Sequence, residues 1–231
     1  MTIVRTSTAS PAGDAKDARL APLLAPSVYI VDDDPSVLDA LVLLLSLHGL
    51  TARAFLSAEA FGSVLQADPA GCLLLDVRLP GKSGLELQAE LLQRGVLLPV
   101  VFVTGHGDVE VARTAFRNGA VDLLEKPIQE DALLAAVRKA MYRDERRRAW
   151  EGEVAEIHTL MTRLTAREHE VLSLFCDGYP NREVARILGL SPRTVEVHRG
   201  HVMGKLHVGS LAELLRLSRM VGTMSRASVQ A

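Results

Sequence analysis

The sequence predicts a doubly wound α/β domain on a five-stranded parallel sheet, followed by a separate all-α domain of four helices. Three observations predict it. Between Ser27 and about Met141, five short apolar runs alternate with segments of helical period, the pattern of strands joined by crossover helices. From Leu164 onward no strand pattern occurs, and helix-start signals recur at short intervals. The charge divides too: residues 28–128 hold thirteen acids against seven Lys and Arg, whereas residues 159–231 hold ten Lys and Arg against six acids. A chain of 231 residues that is 48% apolar can bury two small cores.

Residues 1–26 are rich in Ala, Ser, Pro and Asp and lack the basic start, apolar stretch and cleavage pattern of a secretory leader, so a disordered extension is expected. The first domain, residues 27–141, carries its strands at Val28–Val31, Ala52–Phe55, Cys72–Leu75, Val100–Val103 and Val121–Leu124. Asp34-Pro35 places an N-cap before a first-turn Pro, which makes Asp34 a cap rather than a site residue, and Ser83 with Glu86 forms a capping box. No strand signal follows Gln129, so a long last helix is expected to run into a helical linker, residues 142–159. The basic residues between Tyr142 and Trp150 are read as a solvated helix face. In the all-α domain, residues 160–220, Thr165 with Glu168 and Ser210 with Glu213 form capping boxes, and Ser191-Pro192 starts another helix. Gly178 and Gly189 punctuate between helices, and residues 221–231 form a tail.

Two cysteines, Cys72 and Cys176, each lie in apolar runs and are expected to be buried free thiols in a reducing compartment. Leu41–Leu47 is stopped by His48 and Gly49, far short of the ~18–20 residues of a membrane span. A cytoplasmic protein without a membrane partner is expected. An acidic first part and a mildly basic last part suggest two jobs, the second on a polyanion. The excess is too modest to establish that by itself.

Parallel sheets carry their sites at the carboxyl ends of the strands. Here those ends bear Asp32 and Asp33, then Asp76, Thr104 and Lys126, so three carboxylates, a hydroxyl and an ammonium share one rim. Three close acids repel unless a cation joins them; a hard divalent ion with oxygen ligands fits, and Mg²⁺ is the natural candidate. An acid cluster held by Lys126 alone is the bland alternative.

The set Val31-Asp32-Asp33-Asp34, Leu75-Asp76-Val77-Arg78-Leu79-Pro80-Gly81-Lys82-Ser83-Gly84, Val103-Thr104-Gly105-His106-Gly107 and Glu125-Lys126-Pro127 resembles the response-regulator receivers, which have a flavodoxin-like fold. The resemblance implies that Asp76 accepts a phosphoryl group from a sensor histidine kinase. It also implies that Asp32, Asp33, Asp76 and the Arg78 carbonyl hold Mg²⁺, that Thr104 and Lys126 contact the phosphoryl oxygens, and that Lys126-Pro127 is cis. Arg78 and His106 stand where the family tunes hydrolysis of the acyl phosphate, making self-dephosphorylation the nearest thing to an enzyme activity; His106 can equally be an exposed loop residue. One position departs: where many receivers carry a Phe or Tyr that rotates inward with the Thr, this chain has Leu123. A Leu cannot reproduce that rotation, so the switch is expected to be Thr104 moving while the domain's fourth helix repacks around a smaller Leu123.

Leu164 to Leu172, Gly178 to Ala185, Leu188 to His198 and Lys205-Leu206 resemble the LuxR-type helix-turn-helix, over about residues 160–220. That order after a receiver is similar to the NarL/FixJ group. At 100° per residue, Val195, Val202 and Leu206 share the core side of the recognition helix, and Arg193, Glu196, Val197, Gly200, His201 and Gly204 lie opposite, toward the major groove. Arg193 can read guanine, Glu196 can accept from cytosine and Val197 can touch a thymine methyl. His198, Lys205, Thr194 and Arg182 are phosphate candidates, and the basic run near Arg146 could touch DNA as well. Gly200 and Gly204 either let the backbone approach the bases or are tolerated surface glycines. Glu168 is read as a capping and scaffold residue. Only 4% of residues are aromatic, so no base-stacking platform is expected.

A phosphorylated homodimer on paired half-sites is expected, with RNA polymerase a further partner. Two rivals remain. A haloacid-dehalogenase-type phosphatase also uses a strand-end Asp but wants an acid at the position of Arg78. A regulator with a phosphorylation-independent receiver would not need the full set of Asp32, Asp33, Asp76, Thr104 and Lys126.

Overall fold

The computed structural model describes residues 26–65, 68–105, 109–210, 212–218 and 220. The expectations for the N-terminal extension up to residue 25, for His106 and for the tail 221–231 lie outside them. The chain divides into two compact units, residues 1–147 and 148–231.

In the first unit β1 (Ser27–Val31), β2 (Ala52–Phe55), β3 (Gly71–Asp76), β4 (Val100–Thr104) and β5 (Asp122–Glu125) form one parallel sheet in the order β2-β1-β3-β4-β5. Alternate side chains serve opposite faces. Tyr29, Val31, Leu73, Leu75 and Phe102 pack with Phe61 of α2 (Ala58–Val64), Leu87 and Leu91 of α3 (Gly84–Gln93) and Ala115 of α4 (Val109–Arg117). Val28, Ile30, Leu74, Val101 and Val103 pack with Leu38, Leu41 and Leu45 of α1 (Pro35–Leu47) and Leu133 and Val137 of α5 (Glu130–Met161). Burial on both faces is why the strands are continuous apolar runs. The predicted strands agree to within a residue at each end, β5 being displaced by one.

Helix starts are set locally. Asp34 caps α1 by accepting from the Ser36 amide at 2.8 Å, and Ser83 and Glu86 form the full box at α3.

The segment expected as a linker is helical, but it is not free along its length. Asp144 is buried and accepts from the Gly71 amide at 2.8 Å. Arg147, expected on a solvated face, pairs with Asp144 at 2.7 Å and Asp68 at 3.2 Å. Further along, Val154 and Ile157 are buried in the core of the second unit. Helical period had no means of showing which turns find a core.

In the second unit Leu172, Val202, Leu206, Leu214 and Leu217 surround that end of α5. Val171 and Phe175 of α6 (Ala166–Cys176), Val184 and Ala185 of α7 (Asn181–Leu188) and Val195 of α8 (Pro192–Lys205) make a second cluster. Gly189, at φ 65°, takes the left-handed conformation that ends α7 and turns the chain toward α8. Residues 212–218 add a further helical stretch. Both cysteines are free. Burial, with the charge of Asp144, pushes the Cys72 thiol up to about 12. Cys176 is only half-buried and lies 2.9 Å from the Ser218 hydroxyl, so the expectation of two buried thiols holds for Cys72 alone.

Candidate functional site

The ends of β1 and β3 are adjacent because Val31 pairs in register with Leu75. The next residues, Asp32 and Asp76, are therefore neighbours, both buried, and Asp33 is exposed beside them. One oxygen from each of the three carboxylates lies within 4.8 Å of the others. Lys126 follows β5, anchored by its amide to the Thr104 carbonyl at 2.8 Å, and its ammonium donates to Asp32 Oδ2 and Asp76 Oδ2 at 2.6 Å each. The second oxygens are held from the backbone: the Asp34 amide donates to Asp32 Oδ1 at 3.0 Å, and the Arg78 amide to Asp76 Oδ1 at 2.9 Å. Thr104 is buried at the end of β4, and Lys126-Pro127 is cis.

Burial raises the Asp32 carboxyl above its ordinary range, against the lowering effects of Lys126 and the Asp34 amide. Burial works to lower the Lys126 ammonium, but its bonds to Asp32 and Asp76 outweigh that and leave it raised. An ammonium between two acids offsets their repulsion, and the exposed Asp33 keeps one carboxylate open to solvent. This donor set, all oxygen with an open side, suits a hard divalent ion.

Leu123 on β5 pairs in register with Phe102 and packs half-buried against the core that includes it.

In the second unit Val195, Val202 and Leu206 are buried, and Arg193, Glu196, Val197, Gly200, His201 and Gly204 are exposed along the other side of α8. Arg182 is exposed in the first turn of α7. Thr194 is tied to the Ser191 cap, its hydroxyl 2.8 Å from that of Ser191. His198 is half-buried, with Nδ1 covered and unpartnered.

Lys205 departs from its expected place among the phosphate contacts. Its ammonium donates to Glu168 Oε2 at 2.6 Å, and Glu168 also accepts from the Thr165 amide at 2.7 Å. One buried carboxylate thus closes the N-cap of α6 and grips the end of α8. The capping motif was visible in the sequence, but the pair was not, because 37 residues separate its members. The bond to Lys205, then that to the Thr165 amide, holds the Glu168 carboxyl down at about 2. A lowered carboxylate contributes stability that is complete above its ordinary value of 4.5 and is lost as pH falls toward about 2. Glu168→Gln keeps a capping side chain but loses the charge, so urea unfolding of the full chain should show a loss of about 1–3 kcal/mol at neutral pH. The gap from the parent should narrow below pH 4.5. A gap constant between pH 6 and pH 3 would refute this role.

An acid cluster at the strand ends of a five-stranded parallel sheet, on one chain with a helix-turn-helix, defines a response regulator. Residues 28–138 match the family described as response regulator receiver domain, and residues 162–218 match the bacterial regulatory proteins of the luxR family. The chain is 41% identical to nodulation protein W of Bradyrhizobium diazoefficiens, over 88% of its own length and 89% of that protein. It is 42% identical to the transcriptional regulatory protein FixJ of Azorhizobium caulinodans, over 84% and 92%. A solved structure of the response regulator StyR shares 39% identity with a TM-score of 0.74, covering 84% of this chain and 98% of that one. The chain belongs to the NarL/FixJ group of response regulators. It is a two-component transcriptional regulator with a receiver and a LuxR-type DNA-binding domain.

Proposed function

We propose that Asp76 takes a phosphoryl group from the phosphohistidine of a sensor histidine kinase and that this promotes binding of the second unit to DNA. The observation that carries it is the clustering of the Asp32, Asp33 and Asp76 oxygens within 4.8 Å, with Lys126 bonded to two of them. An Asp76 oxygen attacks phosphorus as the P–N bond breaks, and the electron pair leaves on the imidazole. Lys126 shifts from the Asp76 carboxylate to the oxygens of the transferred group, where Thr104 also donates. Asp32, Asp33, Asp76 and the Arg78 carbonyl are the residues that would hold Mg²⁺, which when bound offsets the phosphoryl charge. Arg78, two residues after Asp76, is placed to influence self-dephosphorylation. Thr104 and Leu123 form the switch, with a half-buried aliphatic in place of a rotating ring.

We assign residues 27–141 to the receiver, 142–159 to the linker and 160–220 to the DNA-binding domain. On α8, Arg193, Glu196 and Val197 read bases, with Gly200 and His201 beside them. Arg182, Thr194 and His198 lie toward phosphates. One short helix offers limited specificity, so homodimers on half-sites about one turn, ~34 Å, apart are expected, with RNA polymerase nearby. DNA as target places the protein in the cytoplasm.

Selection of genomic DNA by phosphodonor-treated protein, followed by gel shifts, tests this. Phosphorylation should tighten operator binding; binding indifferent to the phosphodonor would favour the phosphorylation-independent receiver. Arg193→Ala should cost about 1–3 kcal/mol and relax preference at one base pair. A Cβ at Gly200 or Gly204 meets nothing within 4 Å. Changing both to Ala should therefore stabilise the protein by about 1–2 kcal/mol, with weaker operator binding if the backbone approaches the bases; unchanged affinity would sink the close-approach idea.

A further inference from the structure

A cleft of about 620 Å³ opens at the rim of the receiver sheet where β4 begins. Thr104 ends that strand, ~13 Å away at ~3.3 Å per residue, so the cleft is separate from the carboxylate site. One wall is apolar and includes Leu92 and Leu97, which are 44% and 51% exposed. Arg117, Arg143 and Arg147 line the rest together with Gln88, Asn118 and Gly119, and no carboxylate is among the lining residues. Arg147 is committed to Asp144 and Asp68. Arg143 donates to the Gly119 carbonyl at 3.2 Å, which offsets the negative end of α4 that also borders the cleft. Among the described residues no acid pairs with Arg117 or Arg143.

An apolar wall beside two guanidiniums that no acid neutralises, one of them holding the Gly119 carbonyl through a single N–H, suits an anion with an apolar body, and a guanidinium fork matches a carboxylate through two parallel bonds. The volume lies within the ~300–1,000 Å³ of small-molecule sites. We propose that this cleft binds a small amphipathic carboxylate, with its charged end on Arg117 and Arg143 and its aliphatic or aromatic body against Leu92 and Leu97.

The full chain is titrated separately with octanoate, octanol and inorganic phosphate while backbone amide shifts are followed. Octanoate should bind saturably and move the amides of Leu92, Leu97 and Gly119, with octanol and phosphate each at least about tenfold weaker. Replacing Arg117 and Arg143 by Ala should weaken octanoate binding about tenfold or more with the amide spectrum otherwise native. Leu97→Asn, at a side chain that is 51% exposed and belongs to neither core cluster of the receiver, should also weaken it. Octanol matching octanoate would leave only an apolar patch, and phosphate matching it only a general anion site. Either result, no saturation, or undiminished binding in both variants would overturn the proposal.

Discussion

Asp76→Asn should abolish Mg²⁺-dependent incorporation of phosphate from acetyl phosphate, with no labelling above background. An Asn has the shape of the carboxylate and can still accept from the Arg78 amide, which donates to Asp76 Oδ1 at 2.9 Å in the parent. Its amide oxygen is no nucleophile at neutral pH, and the loss of charge removes one carboxylate from the set proposed to hold Mg²⁺ and one of the two acids that hold Lys126. The fold should survive, because removing one of three clustered acids relieves repulsion. A native far-UV spectrum alongside absent labelling is the expected pair of results. Labelling that persists in the variant would refute the assignment of Asp76. The same variant should lose the response of DNA binding to the phosphodonor, tying the site in one unit to the output of the other.

Gly84→Ala should damage both the fold and the phosphorylation chemistry, although the new side chain is only a methyl group. A Cβ at Gly84 would lie 2.2 Å from the Asp76 carbonyl oxygen and 3.1 Å from both its carbon and Leu75 Cγ. The nearest atoms are backbone and buried core, so a rotamer change cannot relieve the clash. Either the end of β3 or the start of α3 must move, against the 3.1 Å bond from the Gly84 amide to the Val77 carbonyl. A loss of about 3 kcal/mol or more is expected from overpacking at a site that cannot give, measured by urea unfolding. The labelling rate should fall as well, since Asp76 shares the displaced peptide. Gly62→Ala is the control: a Cβ there meets nothing within 4 Å, so the change should be neutral or stabilise by about 0.5–1 kcal/mol. Parent-like stability and labelling in Gly84→Ala would show that the close approach is not needed.

These two positions differ in how far the sequence revealed them. Asp76 was legible because an acid that ends an apolar run must lie at the sheet rim, whichever neighbours it acquires. Lys126 was legible for the same reason, although it lies 94 residues from Asp32 and 50 from Asp76. The close approach at Gly84 was not, since a capping box explains Ser83 and Glu86 and says nothing of the backbone facing the next residue. Lys205 was placed by helical angle alone, which ranks faces but does not show that a buried carboxylate waits on another helix. The basic run near Arg147 was placed by composition: Arg143 and Arg146 are exposed as expected, whereas Arg147 is drawn to the buried Asp144 and to Asp68.

By itself, then, the sequence determined the succession of strands and helices along the chain, the helix starts and the side of α8 that is buried. Each depends on residues within a turn or a strand of one another, where backbone geometry repeats. Tertiary structure alone decided that Glu168 captures Lys205, that the Asp76 peptide leaves no room beyond Gly84, and that Arg117 and Arg143 meet at one cleft. Such juxtapositions depend on how separate elements pack, and no local period encodes that distance.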